Sequence, residues 1–230
     1  MSLLERYEEA AFSNEKAIIL EPSNSDFLFN QGIILAKLSR YGAALECYER
    51  GLRIQPDNHR AWFNKGMALG HLGKDEEAIL CFKKCINIDT NYYYAWLRMG
   101  QALQFLERYQ EAFDSFDHLS MLCPDYQQAW LERSKALQKL ERFDEAVQSN
   151  NIAIAIMNKD LYKLGEFLFT LERYDSALLF MNELLKTQPS NCDAWYYKIS
   201  SLCYLGRREE AETSLQRSQA IGCLVTRIDP

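Results

Sequence analysis

Apolar residues recur along this chain at helical spacing, and the pattern itself recurs. Trp62, Gly66 and Leu69 fall on one helix face, and Ala78, Phe82 and Cys85 on another. Trp96 and Gly100 open the next stretch, which continues through Ala112, Phe116 and Leu119. Steps of four and three residues place each set on one side of an α-helix. Each stretch therefore predicts two amphipathic helices. The turn inside it carries Leu-Glu-Arg-Tyr or a relative, at 106–109, 140–143 and 171–174. The turn that ends it carries proline, which cannot continue a helix but tolerates a boundary. Pro22, Pro56, Pro124 and Pro189 each stand twelve residues after an alanine of the pattern.

The period is sharp. Trp62, Trp96 and Trp130 are 34 residues apart, and Trp195 follows 65 later. Ala10, Ala44, Ala78, Ala112, Ala146, Ala177 and Ala211 keep the same beat, with one step of 31 among steps of 34. A fixed period in this range predicts one supersecondary unit copied end to end and stacked as a solenoid. With Trp at position 4, the units are 25–58, 59–92, 93–126, 127–157, 158–191 and 192–225. Residues 1–24 read as the second half of a further unit, its first helix absent, and 226–230 as a tail. The absent helix suggests a fragment of a longer protein. A lone capping helix is the other reading of this start.

Composition adds limits. Apolar residues make up 48% of the 230 and charged ones 25%, with no low-complexity tract or linker, so one domain spanning 1–230 is expected. No apolar run approaches the ~20 residues of a membrane span. A net charge of −6 argues against nucleic acid, whose binders are usually basic. The seven cysteines include no Cys-x-x-Cys pair. They read as small buried thiols in a reducing compartment, hence a cytoplasmic setting. His59, His71 and His118 occupy unrelated positions of the unit, so no metal site or cofactor is expected. Glu107, Glu141 and Glu172 repeat with the unit beside the inner turn and read as structural acids favouring a helix dipole. No catalytic constellation stands out.

The combination of Trp at position 4, Gly at 8 (Gly32, Gly66, Gly100 and Gly165), Ala at 20 and a large residue at 24 (Tyr48, Phe82 and Phe116) resembles the tetratricopeptide repeat family. The resemblance covers nearly the whole chain. It implies an all-α, right-handed superhelical solenoid of helix-turn-helix repeats that binds proteins without catalysis. It also implies that positions 2, 5, 6, 9, 12 and 13 of the first helices line a concave groove. The peptide-binding candidates there are Phe29, Asn30, Arg60, Phe63, Asn64, Met67, Tyr94, Arg98 and Lys135. Asparagine at position 6 (Asn30, Asn64) offers a donor and an acceptor to a peptide backbone. Asn64 and Arg98 match part of the carboxylate clamp of chaperone-binding members. Phe29, Ile33 and Tyr94 replace its other residues, so recognition of a chaperone terminus is not expected. The six groove positions hold seven bases and four acids, a surplus of +3 against −9 elsewhere, which favours an acidic segment as partner. Two further readings are self-assembly through the open terminal helix and a regulatory module of a larger enzyme.

The unit 127–157 breaks the pattern. It lacks three residues, carries Ser134 for glycine and Asn150 for the aromatic, and has no boundary proline. Its second helix should end early or its turn tighten, and Asn150, if buried, needs partners. The basic stems at position 7 (Lys65, Arg133 and Lys198) should pack while their charges reach water.

Overall fold

A computed structural model describes residues 3–157, 159–223 and 225. Among them lie thirteen α-helices and no strand. None of the helices is long and apolar enough to cross a membrane. The chain forms two compact units, Met1–Phe116 and Asp117–Pro230. The first contains α1 (Leu3–Leu20), α2 (Ser25–Lys37), α3 (Tyr41–Ile54), α4 (His59–His71), α5 (Asp75–Ile88), α6 (Tyr93–Phe105) and the start of α7 (Tyr109–Leu122). The second contains the rest of α7, then α8 (Gln127–Lys139), α9 (Phe143–Met157), α10 (Leu161–Thr170), α11 (Tyr174–Thr187), α12 (Cys192–Tyr204) and α13 (Arg208–Ala220). The sequence-stretch 226–230, read as a tail, lies outside the described residues.

The periodic residues each have a physical task. The glycine at position 8 admits the large side chain at 24 of the same hairpin. A Cβ built on Gly32, Gly66 or Gly100 would stand 2.5–2.7 Å from the ring of Tyr48, Phe82 or Phe116, and one on Gly165 would stand 2.4 Å from Met181. The tryptophan indole N–H donates to the carbonyl six residues earlier: Trp62 to Pro56 (2.8 Å), Trp96 to Thr90 (2.9 Å), Trp130 to Pro124 (2.9 Å) and Trp195 to Pro189 (2.8 Å). Each bond closes the turn between hairpins where a proline or its substitute ends the preceding helix. Asn24, Asn58, Asp160 and Asn191 cap the helices that follow them, accepting from backbone N–H groups of the first turn.

The inner turn differs from expectation. Glu107, Glu141 and Glu172 do not serve a helix dipole from its first turn. They follow the end of the preceding helix with φ of 59°, 60° and 59°, in the left-handed region. Ser39, Gly73 and Gly206 take the same position of their units with φ of 58°, 72° and 71°. A left-handed residue here lets the chain reverse and closes the last carbonyls of the helix.

The short unit also departs from its reading. Its second helix, α9, is 15 residues, no shorter than its counterparts. The deletion falls instead on the next first helix, since α10 has 10 residues where α4 and α12 have 13. Without an aromatic at 24, Ser134 is buried and its hydroxyl donates to the Ala146 carbonyl at 2.9 Å. Asn150 is only half-buried.

Two of the three basic side chains at position 7, Lys65 and Arg133, do not reach for water, whereas Lys198 finds no acid among the described residues. The first two cross the joint to position 25 of the preceding unit: Lys65 to Glu49 (3.0 Å) and Arg133 to Asp117 (2.7 Å). Gln31 donates to Glu15 in the same way (3.3 Å). The buried Arg133 and the partly buried Arg173 share Asp117, and both guanidiniums lie over the ring of the fully buried Trp130, at 5.7 and 4.8 Å. The base at position 16 usually pairs with a glutamate three residues on, as Arg108 does with Glu111, Arg142 with Glu145 and Arg207 with Glu210. Ser176 stands where that glutamate would be for Arg173. Arg173 turns back to Asp117 instead.

One cysteine expectation fails. Cys192 and Cys223 form a disulfide, their Cα atoms 5.2 Å apart, joining the start of α12 to the segment after α13. Cys81 and Cys85 are buried thiols, pushed up to about 11 and about 12 by desolvation.

Candidate functional site

The first helices of the N-terminal unit present three adjoining clefts. One of about 500 Å³ lies between α1 and α2, lined by Ala10, Asn14, Asn30 and Ile33. Asn14 is fixed at its wall by donating to the Phe27 carbonyl (2.8 Å) and to Gln31 (2.9 Å). The next, about 460 Å³, takes Ile33, Lys37 and Tyr41 on one side and Phe63, Asn64 and Met67 on the other. The third, about 270 Å³, runs from Met67 and His71 to Arg98, Gln101 and Phe105, with Asp75 also in its lining. Ile33 belongs to the first two clefts, and Met67 and His71 to the last two, so the three form one continuous track.

Helical periodicity explains the line-up. Positions 6, 9 and 13 share one face of each first helix, and stacking brings Asn30, Asn64 and Arg98 into succession, flanked by Ile33, Met67 and Gln101. Four predicted residues (Asn30, Asn64, Met67 and Arg98) therefore line this track, and Phe63 joins the middle cleft. Arg98 is exposed and donates to Gln101 at 3.1 Å. Lys37, Arg60 and Arg98 have no carboxylate within ion-pair distance among the described residues. Tyr94 is 46% exposed. Its ring meets Tyr93, Tyr92 and Phe63 at centroid distances of 4.0, 5.8 and 6.4 Å. Phe63 and Tyr92 meet edge to face at 5.2 Å, within the range in which such pairs attract. Burial pushes the Tyr92 phenol up.

Two predicted residues are placed otherwise. Phe29 is buried, its ring pressed on Gly51, where a Cβ would stand 2.4 Å away. It belongs to the core and offers nothing to a ligand. Lys135 lies in the second unit, and its ammonium is paired with Glu132 at 3.1 Å. The second unit's face is largely self-compensated, with Lys163 near Asp160 (3.9 Å) and the Tyr197 hydroxyl donating to Glu166 (3.0 Å). The positive surplus counted along the sequence is thus concentrated on the first unit. Sequence reasoning passed over His71, Tyr41 and Gln101, which line these clefts. The stacking of His71 on Tyr41, centroids 4.5 Å apart and planes 8° apart, joins two helices and leaves no periodic trace.

Comparison with known families settles the lineage of this arrangement. A profile described as tetratricopeptide repeat matches residues 4–58 and 29–84, and a second of the same description matches 93–126. The chain belongs to the tetratricopeptide repeat family. Among solved structures, tetratricopeptide-like stacking is shared with the crystal structure of MamA, 17% identical over 70% of this chain and 97% of that one, with a TM-score of 0.65. A further MamA structure, from AMB-1, is 23% identical over 67% of this chain and 92% of that one, with a TM-score of 0.60. No curated protein matches the chain in sequence. These likenesses establish the fold of this tetratricopeptide repeat protein.

Proposed function

We propose that this chain is a non-catalytic protein-interaction scaffold, one run of repeats across 1–230, whose first-helix face in the N-terminal unit holds an extended acidic peptide. The observation that carries the reading is the continuous track of three clefts bearing Arg98 and Lys37 without carboxylate partners. Asn30 and Asn64 supply backbone-matching amides to the peptide. Arg98 takes an acidic side chain through a charge-assisted bond. Met67, Phe63 and Tyr94 supply adaptable and aromatic contact area of the kind that dominates binding energy.

The test is selection from a random displayed peptide library on the intact chain and on Arg98→Glu. The expected result is an acid-rich consensus for the intact chain. Its synthetic peptide should bind Arg98→Glu at least about tenfold more weakly at low salt, the scale of one lost charge-assisted bond. A consensus without acids, or equal affinity for both proteins, refutes the placement.

A second reading, self-association, draws on α1. Leu4, Phe12 and Ile19 share one face of this helix and are 60–76% exposed. Apolar exposure of this kind suits an interface. Light scattering decides it: one concentration-independent molar mass near 26.8 kDa eliminates this reading.

A further inference from the structure

At two joints the base at position 7 lies over the tryptophan three residues before it and pairs with an acid at position 25 of the preceding unit. Lys65 does so with Trp62 and Glu49, and Arg133 with Trp130 and Asp117. At the last joint half of this arrangement is present. Lys198 lies over Trp195 at 5.0 Å, but position 25 is Asn182, a neutral side chain. Lys198 is half-buried and has no ion pair among the described residues.

The gap is a small pocket of about 180 Å³ between α11, α12 and α13. Its floor is apolar, from the buried Leu178 and Leu202. Asn182, Lys198, Ser214 and Arg217 line it, and none of their four side chains makes a hydrogen bond or ion pair with another described residue. Ser214 is 5% exposed, yet among the described residues no sealed side-chain oxygen lacks a partner, so its hydroxyl opens into this space. Arg207 and Glu210, also at the wall, neutralise each other through two short bonds. The pocket thus keeps a surplus of two positive charges. Burial, then repulsion from Arg217, lowers the Lys198 pKa, and Glu210 only partly offsets this. A half-buried cation with amide and hydroxyl donors beside it is stabilised by an anion placed among them.

We infer that this pocket is a binding site for a small oxyanion, a phosphate or carboxylate group, which takes the place that the Glu49 and Asp117 carboxylates hold beside Lys65 and Arg133. The site is separate from the peptide track and stands or falls independently of it. Asn182 and Ser214 donate hydrogen bonds to the anion, and Lys198 and Arg217 supply charge.

The test is calorimetric titration of the full chain with inorganic phosphate, and in a parallel arm with acetate, in low-salt buffer. Saturable binding by either identifies the source chemistry. Asn182→Asp restores the missing acid from within. It should raise the thermal midpoint in the absence of added anion and weaken phosphate or acetate binding at least about tenfold by occupying the site. Lys198→Met should weaken binding as strongly. No binding of either anion to the intact chain overturns the inference. So does unchanged affinity in Asn182→Asp, a variant expected to fold at least as well as the parent.

Discussion

Asp117→Ala tests the packing logic of the second unit most directly. Asp117 is the shared acceptor of Arg133 and Arg173, whose side chains are only 6% and 10% exposed. Removing it leaves two guanidiniums facing each other over Trp130 in a region with little water. Burial already lowers the Arg173 pKa, with Asp117 acting against it. Breaking a buried pair by deleting one partner costs about 3–5 kcal/mol. Asp117 itself is 29% exposed, so water can enter after its removal, and about 2–4 kcal/mol is the better expectation here. Hydrogen exchange is the suitable assay, because repeat proteins open locally and a single unfolding energy averages over units. Amides of α8 and α10 should lose protection by about that amount, with those of α2 to α4 unchanged. Arg173→Met added to Asp117→Ala should recover part of the loss, since it removes one orphaned charge and keeps a long apolar stem over the tryptophan. A loss below about 1 kcal/mol, or no recovery in the double variant, would show that the arginines are adequately hydrated without Asp117.

Four further outcomes rest on the same structure. Gly100→Ala places a Cβ 2.5 Å from the fully buried Phe116 ring and should cost about 1–3 kcal/mol. Gly42→Ala, with nothing within 4 Å, should be neutral or stabilise by up to about 1 kcal/mol, as read by thermal melting followed by circular dichroism. Glu107→Gly and Glu141→Gly, at φ near 60°, should each stabilise by about 1 kcal/mol by relieving left-handed strain; a lower midpoint in denaturant would contradict this. Reducing the Cys192–Cys223 bridge, which closes a loop of 31 residues, should remove about 3–4 kcal/mol through freedom returned to the unfolded chain. Calorimetry with and without reductant should show it, and identical traces would count against the bridge.

Much of this protein is legible in its sequence because its contacts are local and repeated. The Gly32–Tyr48 and Gly66–Phe82 packings and the Trp-to-proline-turn bonds lie within one hairpin or one joint. Each copy therefore writes the same residues at the same offsets, and the period exposes them. That Asn30, Asn64, Met67 and Arg98 share a face followed from helical geometry, which places positions 6 and 9 together in every first helix, while the family resemblance alone marked that face as the groove. What a residue does at a given position was less readable. Phe29 and Tyr94 are both aromatic groove candidates, yet Gly51 gives Phe29 a buried seat while Tyr94 stays open to water. Glutamates at position 15 gave no hint of left-handed backbone, because the period marks recurrence and not conformation.

Sequence alone determined the helical hairpin, its 34-residue repeat and the sides on which apolar residues gather, all of which depend on interactions spanning less than one period. Tertiary structure decided the exceptions. It chose Asp117 as the partner of Arg173, 56 residues away. It joined Cys192 to Cys223, gave the three-residue deletion to α10 and left Lys198 without an acid. Those outcomes depend on which side chains meet across stacked helices, and a departure from the repeat leaves no second copy in the sequence from which to recognise it.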